Sequence, residues 1–374
     1  MRRFWIATGI ALVCAAAQAQ PWDRIRGEVA EVGDAGPHRF LVVRSFDVGI
    51  AHLVDGDTGA VEGTLSLSLF TPGLAPDPAA ERIYAYGSYY TRMVRGERTD
   101  VLQVFDARSL AVEAEIEIPP KSAGIGHSGM IGLVDGRFVG VWNITPAMSV
   151  SIVDVEQQRF VGELSTPGCA AVYPVGRGFL MPCGDGTLQY LALNADGTEA
   201  SRVRSRVFFD VQADPVFDYA VPTAAGWLFL SFEGRVFEAT VADGAIRVAE
   251  RFSLFDDPAA DRAFRIGGNQ PFAYNAATGL LVTLVHEGGG QETVEDPGFE
   301  VWAYDARTGE RRYRMLLDEP ATSVMLTQDA APLLVTGLLV IGNGSPVTLF
   351  VHDAATGRKV REVPELTGSL IQPW

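Results

Sequence analysis

The sequence predicts an all-β protein, a seven-bladed β-propeller of four-stranded antiparallel blades. Three observations predict this fold: a turn phrase that recurs seven times, a spacing of about 50 residues between the copies, and a composition with 40 glycines and 21 prolines among 374 residues. Short runs of alternating apolar and polar residues lie between the turns, as in proteins built from many short strands. A repeat of this length corresponds to one four-stranded propeller blade.

The recurring phrase is an apolar strand that ends in Asp, followed by two variable residues, Thr-Gly, and a more polar strand. Clear copies begin at Asp55, Asp305 and Asp353. Weaker copies lie at Asp106, Asp154, Asn194 and Val241. Asp or Asn caps such a turn through hydrogen bonds to nearby backbone, and Gly takes the positive φ that closes a hairpin. Each copy therefore predicts one β-hairpin, and the copies lie 51, 48, 40, 47, 64 and 48 residues apart.

Two features disturb the period. A similar phrase at 275–279 lies only 30 residues before the copy at Asp305, and we interpret it as a turn inside a blade. The interval of 64 residues indicates an insertion, with a predicted helical turn at 255–261 and a loop from His286 to Gly298. Long loops on a rigid scaffold often carry binding functions. The rival architecture is a pair of β-sandwiches, which do not require one hairpin signature at a constant period.

The N-terminus has the pattern of a secretory signal peptide, with two arginines, a short apolar run and a site of Ala-x-Ala type. We expect cleavage after Ala19, which removes residues 1–19 and leaves one propeller domain at 20–374. The apolar run is too short to span a bilayer, and no later segment is long and apolar enough to do so. The formal net charge of −16 argues against nucleic acid as a partner, because phosphates would repel the protein.

Cysteine usage agrees with export. Once Cys14 is removed with the signal peptide, only Cys169 and Cys183 remain. Two cysteines in an exported chain favour a disulfide, which would stabilise a loop of this size by roughly 3 kcal/mol. The alternative is a pair of buried free thiols. Neither their spacing nor their neighbours indicates a metal site.

No catalytic, cofactor-binding or metal-binding centre is evident in this chain. The five histidines are scattered and none is paired at metal-ligand spacing. The string at 124–129 matches the glycine pattern of dinucleotide sites, but it precedes a predicted strand where that motif requires a helix. The Asp55–Asp57 phrase lacks the later residues of a calcium loop. Glu113, Glu115 and Glu117 alternate with apolar residues and are interpreted as the solvated face of a strand.

Three stretches of the sequence give more specific information about its relationships than the overall amino-acid composition does. Residues 89–106 contain Arg-Gly-Glu-Arg-Thr-Asp, residues 264–275 contain Phe-Arg-Ile-Gly-Gly-Asn-Gln, and residues 286–302 contain His-Glu-Gly-Gly and Asp-Pro-Gly. From about residue 80 to about residue 360, the sequence resembles in register the heavy subunit of methylamine dehydrogenase and its aromatic amine dehydrogenase relatives. The cysteine pair also falls where that family has its disulfide.

The resemblance implies a periplasmic heavy subunit that pairs with a small light subunit in an α2β2 assembly. The light subunit carries tryptophan tryptophylquinone, and the assembly oxidises primary amines to aldehyde and ammonia. Electrons then pass to a cupredoxin or a c-type cytochrome. A cofactor held by the partner agrees with the missing catalytic centre of this chain.

One site residue follows from the resemblance. The family places a channel-lining phenylalanine in a proline-containing loop before the second blade, and the matching residue here is Phe70. Two other functions remain open at this point. One is an exported propeller that binds partners without enzymatic activity, and the other is an enzyme with its own cofactor in the propeller channel.

Overall fold

The computed structural model describes residues 31–33, 36–44, 48–71, 73–120, 128–257, 260–339 and 347–374. The predicted signal peptide at 1–19 lies outside the described residues, as do Pro72 and most of the glycine-rich string at 124–129. Within the described ranges nearly all regular structure is β-strand, and the helical segments are two short 3-10 turns, Ser128–Met130 and Gln291–Thr293.

The described strands form seven antiparallel sheets, which are the blades of the propeller. In chain order, the first three blades contain β1 (Arg39–Arg44), β2 (Ile50–Asp55), β3 (Val61–Ser66), β4 (Leu74–Asp77), β5 (Arg82–Tyr90), β6 (Arg98–Asp106), β7 (Val112–Ile118), β8 (Ile131–Val134), β9 (Phe138–Asn143), β10 (Ser149–Asp154) and β11 (Arg159–Ser165).

The fourth and fifth blades contain β12 (Tyr173–Val175), β13 (Gly178–Pro182), β14 (Leu188–Leu193), β15 (Glu199–Arg204), β16 (Val216–Pro222), β17 (Gly226–Ser231), β18 (Arg235–Ala242) and β19 (Ala245–Ser253). The remaining strands are β20 (Phe264–Ile266), β21 (Phe272–Asn275), β22 (Leu280–Glu287), β23 (Gly298–Asp305), β24 (Arg311–Ala321), β25 (Ser323–Leu326), β26 (Leu333–Gly337), β27 (Thr348–Asp353), β28 (Lys359–Pro364) and β29 (Leu370–Pro373).

The ring is closed by the last strand. β29 pairs antiparallel with β1, with Phe40 opposite Pro373 and Val43 opposite Leu370, so blade 1 takes its innermost strand from the C-terminus. The Gln372 side chain on β29 then bonds to the backbone of Leu74 in blade 2, donating to its carbonyl (3.0 Å) and accepting from its N–H (3.3 Å). Because β1 and β29 pair with each other, both ends of the described chain are held in blade 1.

All seven predicted hairpins are present, and each joins the third strand of a blade to the fourth. At the first of them the Asp55 carboxylate accepts the N–H of Asp57 (2.8 Å), and Gly59 has a φ of 77°. The similar phrase at 275–279 joins β21 to β22 inside blade 6, as predicted. Seven blades are thus confirmed, and the pair of sandwiches is excluded.

The 64-residue interval falls in blade 6. Its innermost strand is divided into β20 and β21, which both pair with β22. At the predicted helical turn, the N–H of Asp261 donates to the carbonyl of Asp257 (2.8 Å), which is the spacing of a helical hydrogen bond. Residues 258–259 of this turn lie outside the described part. Among the described residues, the insertion therefore lengthens loops and adds one short 3-10 turn, Gln291–Thr293.

Candidate functional face and axial channel

The propeller has two ends that differ in their loops. Because successive strands of a blade run in opposite directions, the seven hairpins all lie at one end, which we call the lower face. The upper face is formed by the loops that precede each innermost strand and by the loops that join each second strand to the third. Parts of all three family-like phrases lie there, at 91–97, 267–271 and 288–297, together with both cysteines. The upper face is therefore the candidate functional surface.

The predicted disulfide between Cys169 and Cys183 is confirmed. It joins the loop before β12 to the loop after β13, and both residues are buried. Backbone hydrogen bonds from Ala170 to Pro182 and from Gly184 to Gly168 flank it, each 2.9 Å long. The cross-link therefore fixes two upper-face loops of blade 4 against each other.

A buried ion pair explains part of the Arg-Gly-Glu-Arg-Thr-Asp phrase. Arg98 donates two hydrogen bonds of 2.6 Å to the carboxylate of Asp100, which is fully buried. Tyr86 donates its hydroxyl to the same carboxylate (2.7 Å), and burial raises the pKa of this tyrosine, so it remains a donor. Arg98 also donates to the hydroxyl of Ser88 (3.0 Å). The phrase thus anchors the upper end of blade 2.

Phe70 lies in the loop between β3 and β4, which belongs to the upper face. Its N–H donates to the Ser68 hydroxyl (3.0 Å), and Ser68 in turn donates to the carbonyl of Ser88. The half-buried Phe70 ring makes an edge contact with Tyr90, with 5.6 Å between the ring centres. The loop that carries Phe70 is therefore connected through Ser68 and Ser88 to the Arg98 network.

Apolar side chains are exposed at the upper end of several blades. Met93 and Val94, at the tip of the loop between β5 and β6, are 79% and 60% exposed. Other described residues of this kind are Val48, Tyr89, Ile144, Val207 and Phe299. Isolated exposed apolar residues are normal, but several at one end of a molecule indicate an interaction surface.

Two chambers lie along the axis of the propeller within the part of the chain that the structure describes. The lower chamber measures about 570 Å³ and is lined by the innermost strands of all seven blades, with Trp227, Tyr274 and Trp374 among its aromatic residues. The upper chamber measures about 290 Å³ and opens near the upper face. Tyr219, which is buried, lines both chambers. Phe70 is not among the described residues that line either chamber.

The described histidines do not form a metal centre. Among the described residues, no three His, Cys, Asp or Glu side chains lie close enough together to hold a metal ion. His286 contacts the Thr293 hydroxyl (3.3 Å) in the blade 6 insertion, and His352 is buried in blade 7, where burial lowers its pKa.

The axial chambers were not identified from the sequence. Their lining comes from short innermost strands that lie far apart in the chain, such as β16 and β29, and no local pattern shows that these strands converge. The available signal is proline: Pro76, Pro174, Pro222 and Pro373 lie on innermost strands. Proline is tolerated in a sheet mainly on edge strands. These prolines therefore mark the strands that face the channel.

The fold and the upper face define a class of protein: a seven-bladed propeller with disulfide-linked upper loops and exposed apolar residues beside an axial chamber. Residues 37–371 match the family described as methylamine dehydrogenase heavy chain (MADH). The chain belongs to the methylamine dehydrogenase heavy chain family. In the described residues, no helix has the length and apolar character needed to cross a bilayer.

Curated relatives agree with this assignment. The chain is 30% identical over 325 residues to the methylamine dehydrogenase heavy chain of Paracoccus versutus, covering 84% of this chain and 73% of the relative. It is 29% identical over 282 residues to the heavy chain of Methylobacillus flagellatus, covering 74% of this chain and 69% of the relative.

Solved structures show a similar fold. Dihydro-heme d1 dehydrogenase NirN superposes with a TM-score of 0.55 at 20% identity, covering 89% of this chain and 74% of that chain. The β-propeller domain of Cps50 (Swd1) from Myceliophteria thermophila gives a TM-score of 0.54 at 10% identity, covering 82% of this chain and 94% of that chain. At these identities the likeness concerns the propeller fold alone.

Proposed function

We propose that this chain is the heavy subunit of a periplasmic quinoprotein amine dehydrogenase. The observation that carries the proposal is the family match over residues 37–371, which spans all seven blades. The chain would act as a scaffold for a light subunit in an α2β2 assembly.

The upper face is the proposed docking surface for the light subunit. It presents exposed apolar side chains, among them Met93, Val94 and Phe299. The disulfide and the Arg98–Asp100 ion pair hold the surrounding loops in place. A surface whose loops are already ordered loses less conformational entropy on binding. Phe70 lies on this face, and we propose that it forms part of the wall of the substrate channel between the subunits.

The proposed reaction converts a primary amine and water into an aldehyde and ammonia, with release of two electrons and two protons. Tryptophan tryptophylquinone of the light subunit would accept the electrons and pass them to a cupredoxin or c-type cytochrome. Under this proposal the residues of the present chain bind the light subunit, exclude water from the joint surface and restrict access for the amine. None of them needs to take part in covalent chemistry.

Two observations support a periplasmic location. The first 19 residues have the pattern of a signal peptide. The disulfide between Cys169 and Cys183 is of a kind that persists in oxidising compartments and is rare in the cytosol.

Co-expression with a light subunit from the family, directed to the periplasm, tests the proposal. The expected result is a stable complex that reduces an artificial electron-accepting dye when a primary amine is added. The matched control is the same pair with exposed apolar residues of the upper face changed, Met93→Asp and Val94→Asp, which should prevent assembly while the isolated chain stays folded. If the unmodified pair formed no complex and showed no amine-dependent dye reduction, the proposal would be wrong, and a propeller without enzymatic activity would be favoured.

A further inference from the structure

The lower chamber has a buried base and a mouth at the lower face. Toward the base it is lined by Tyr219, Gln270 and Leu370, all buried, and toward the mouth by Pro222 and Gln328, which are exposed. Each innermost strand runs from the upper to the lower face, so its last residues lie at the mouth. The volume of about 570 Å³ lies within the range of about 300–1,000 Å³ that is usual for ligand sites. The chamber opens at the end opposite to the proposed docking surface.

The buried side-chain amides that line the chamber are bonded to backbone groups around it. Gln270 donates to the carbonyl of Ile371 (2.7 Å) and accepts the N–H of the same residue (2.9 Å). Gln372 makes the equivalent pair of bonds with Leu74, at 3.0 and 3.3 Å. The described lining includes no Lys, Arg, His, Asp or Glu side chain. The amides therefore hold the innermost strands together, and the described wall has no charged side chain to neutralise an ion.

Apolar groups form most of the wall of the chamber. Proline and aliphatic side chains from six blades contribute, among them Pro76, Leu133, Val172, Val221, Leu326 and Pro373. Proline has no N–H, so the proline positions offer water no backbone donor. A buried water molecule needs two to four polar partners to be held firmly. Water along this wall is therefore weakly held, and its displacement by an apolar molecule favours binding.

Three half-buried aromatic residues surround the mouth. Trp227 of blade 5 donates its indole N–H to the carbonyl of Pro174 (2.8 Å) and packs against Tyr173, with 4.8 Å between the ring centres. Tyr274 belongs to β21 of blade 6, and Trp374 packs against the core cluster between blades 1 and 2. All three line the chamber. Aromatic rings in this arrangement favour an aromatic occupant, which can stack on them or contact them edge-on.

We propose that the lower chamber is a binding site for a neutral, largely apolar aromatic molecule of two or three fused rings. A dry apolar cavity of about 150 Å³ binds benzene, and this chamber is about four times as large. An ion would lose hydration on entry without gaining a side chain of opposite charge. The base lies among buried innermost strands, which a compact molecule can reach and the surface of another protein cannot. The proposal concerns residues of this chain alone and does not depend on the proposed light subunit.

The molecules 2-naphthamide and 2-naphthoate are matched probes, because they have nearly the same shape and differ in charge. Equilibrium dialysis of the full chain should show saturable binding of 2-naphthamide and binding of 2-naphthoate that is weaker by about tenfold or more. Trp227→Leu should weaken the binding of 2-naphthamide about tenfold through loss of aromatic contact. The control Phe255→Leu removes a half-buried ring that does not line the lower chamber, and it should leave the affinity unchanged within about twofold.

A second pair of variants tests the position of the site by a gain of binding, which a misfolded chain would not show. Pro222→Lys places a cation at the exposed mouth and should tighten the binding of 2-naphthoate about tenfold. Ala195→Lys adds the same charge at an exposed lower-face hairpin outside the chamber lining and should not. The site is rejected if 2-naphthamide shows no saturable binding, if 2-naphthoate binds the unmodified chain equally well, or if the two members of either variant pair act alike.

Discussion

The imidazole of His38 and the carboxylate of Asp329 lie 3.4 Å apart, Nε2 to Oδ1, across the boundary between the first and last blades. His38 precedes β1, and Asp329 lies in the lower loop between β25 and β26. The other imidazole nitrogen contacts Asp57 at 2.7 Å, and Arg361 of blade 7 bonds to the carbonyl of Asp57. The boundary where the ring closes thus contains a histidine between two carboxylates.

Replacement of His38 should lower the free energy of unfolding of the propeller by an amount that depends on pH. Burial alone would lower the pKa of His38, but the hydrogen bond and charge of Asp57 and the charge of Asp329 raise it above its usual 6.5. Such a group stabilises the fold below its unfolded pKa, and this stabilisation is lost as pH rises through the folded pKa. We expect His38→Gln to lower the free energy of unfolding by about 0.5–1 kcal/mol near pH 5.5 and by less near pH 8.5, measured by urea unfolding.

His52 serves as a control because its pKa is shifted in the opposite direction to that of His38. Burial, together with the charge of Arg44, lowers its pKa, so its contribution to stability is lost as pH falls. The cost of His52→Gln should therefore be smaller at acidic pH than at alkaline pH. Equal pH trends for the two variants would contradict the assigned role of the His38 boundary.

The repeat could be predicted from the sequence because its signal is local. Asp55, Asp305 and Asp353 each bond to backbone N–H groups two or three residues on, so the turn is encoded within five residues. The pairing of β29 with β1 joins residues more than 300 positions apart, and no local pattern encodes it. Blade number was therefore predictable, whereas the ring closure and the axial chambers required coordinates.

In the weaker copies of the turn phrase, a residue with a side chain can stand where the clear copies have glycine, and its backbone is strained. Gly59, Gly309 and Gly357 have φ values between 73° and 79°, but the equivalent position in blade 3 is Gln158, with a φ of 49°. A side chain in this left-handed region costs roughly 1 kcal/mol relative to Gly. Since Gln158 is exposed, we expect Gln158→Gly to raise the free energy of unfolding by about 0.5–1 kcal/mol in a denaturant titration.

Two positions serve as controls for this prediction. Leu110 has the same strain, with a φ of 56°, but packs against the core cluster between blades 1 and 2, so Leu110→Gly should be destabilising through lost burial. Gly244→Ala adds a Cβ into open space at a φ of 71° and should cost about 1 kcal/mol. A destabilising Gln158→Gly would show that backbone strain is not the dominant factor at this turn.

Removing one member of the Arg98–Asp100 ion pair should lower the free energy of unfolding much more than replacing both members with apolar residues. Arg98→Ala leaves the carboxylate of Asp100 buried with Tyr86 as a remaining donor, and we expect a loss of about 3 kcal/mol or more in the free energy of unfolding. The double variant Arg98→Met with Asp100→Leu removes both charges and should cost less than Arg98→Ala. A denaturant series on the single and double variants measures the coupling, and a cost under about 1 kcal/mol for Arg98→Ala would refute a structural role for the pair.

The side chain of Phe70 can be tested against a matched aromatic residue. Phe255 is also half-buried in an upper-face loop, and it contacts Trp302 edge-on with 5.6 Å between ring centres, the same separation as for Phe70 and Tyr90. Phe70→Ala and Phe255→Ala should therefore destabilise the isolated chain by similar amounts, about 1–3 kcal/mol. This equivalence separates effects on stability from effects on the proposed channel.

In the assembled complex the two variants should differ. If Phe70 forms the channel wall, Phe70→Ala widens the path, and kcat/KM for a bulky primary amine should rise relative to methylamine by about tenfold, which corresponds to about 1.4 kcal/mol. Phe255→Ala should leave that ratio unchanged. Steady-state dye reduction with both amines measures the ratio. Because both variants lose comparable packing, a change of selectivity confined to Phe70→Ala would support the proposed place of Phe70 in the channel wall, and equal ratios would remove Phe70 from the channel.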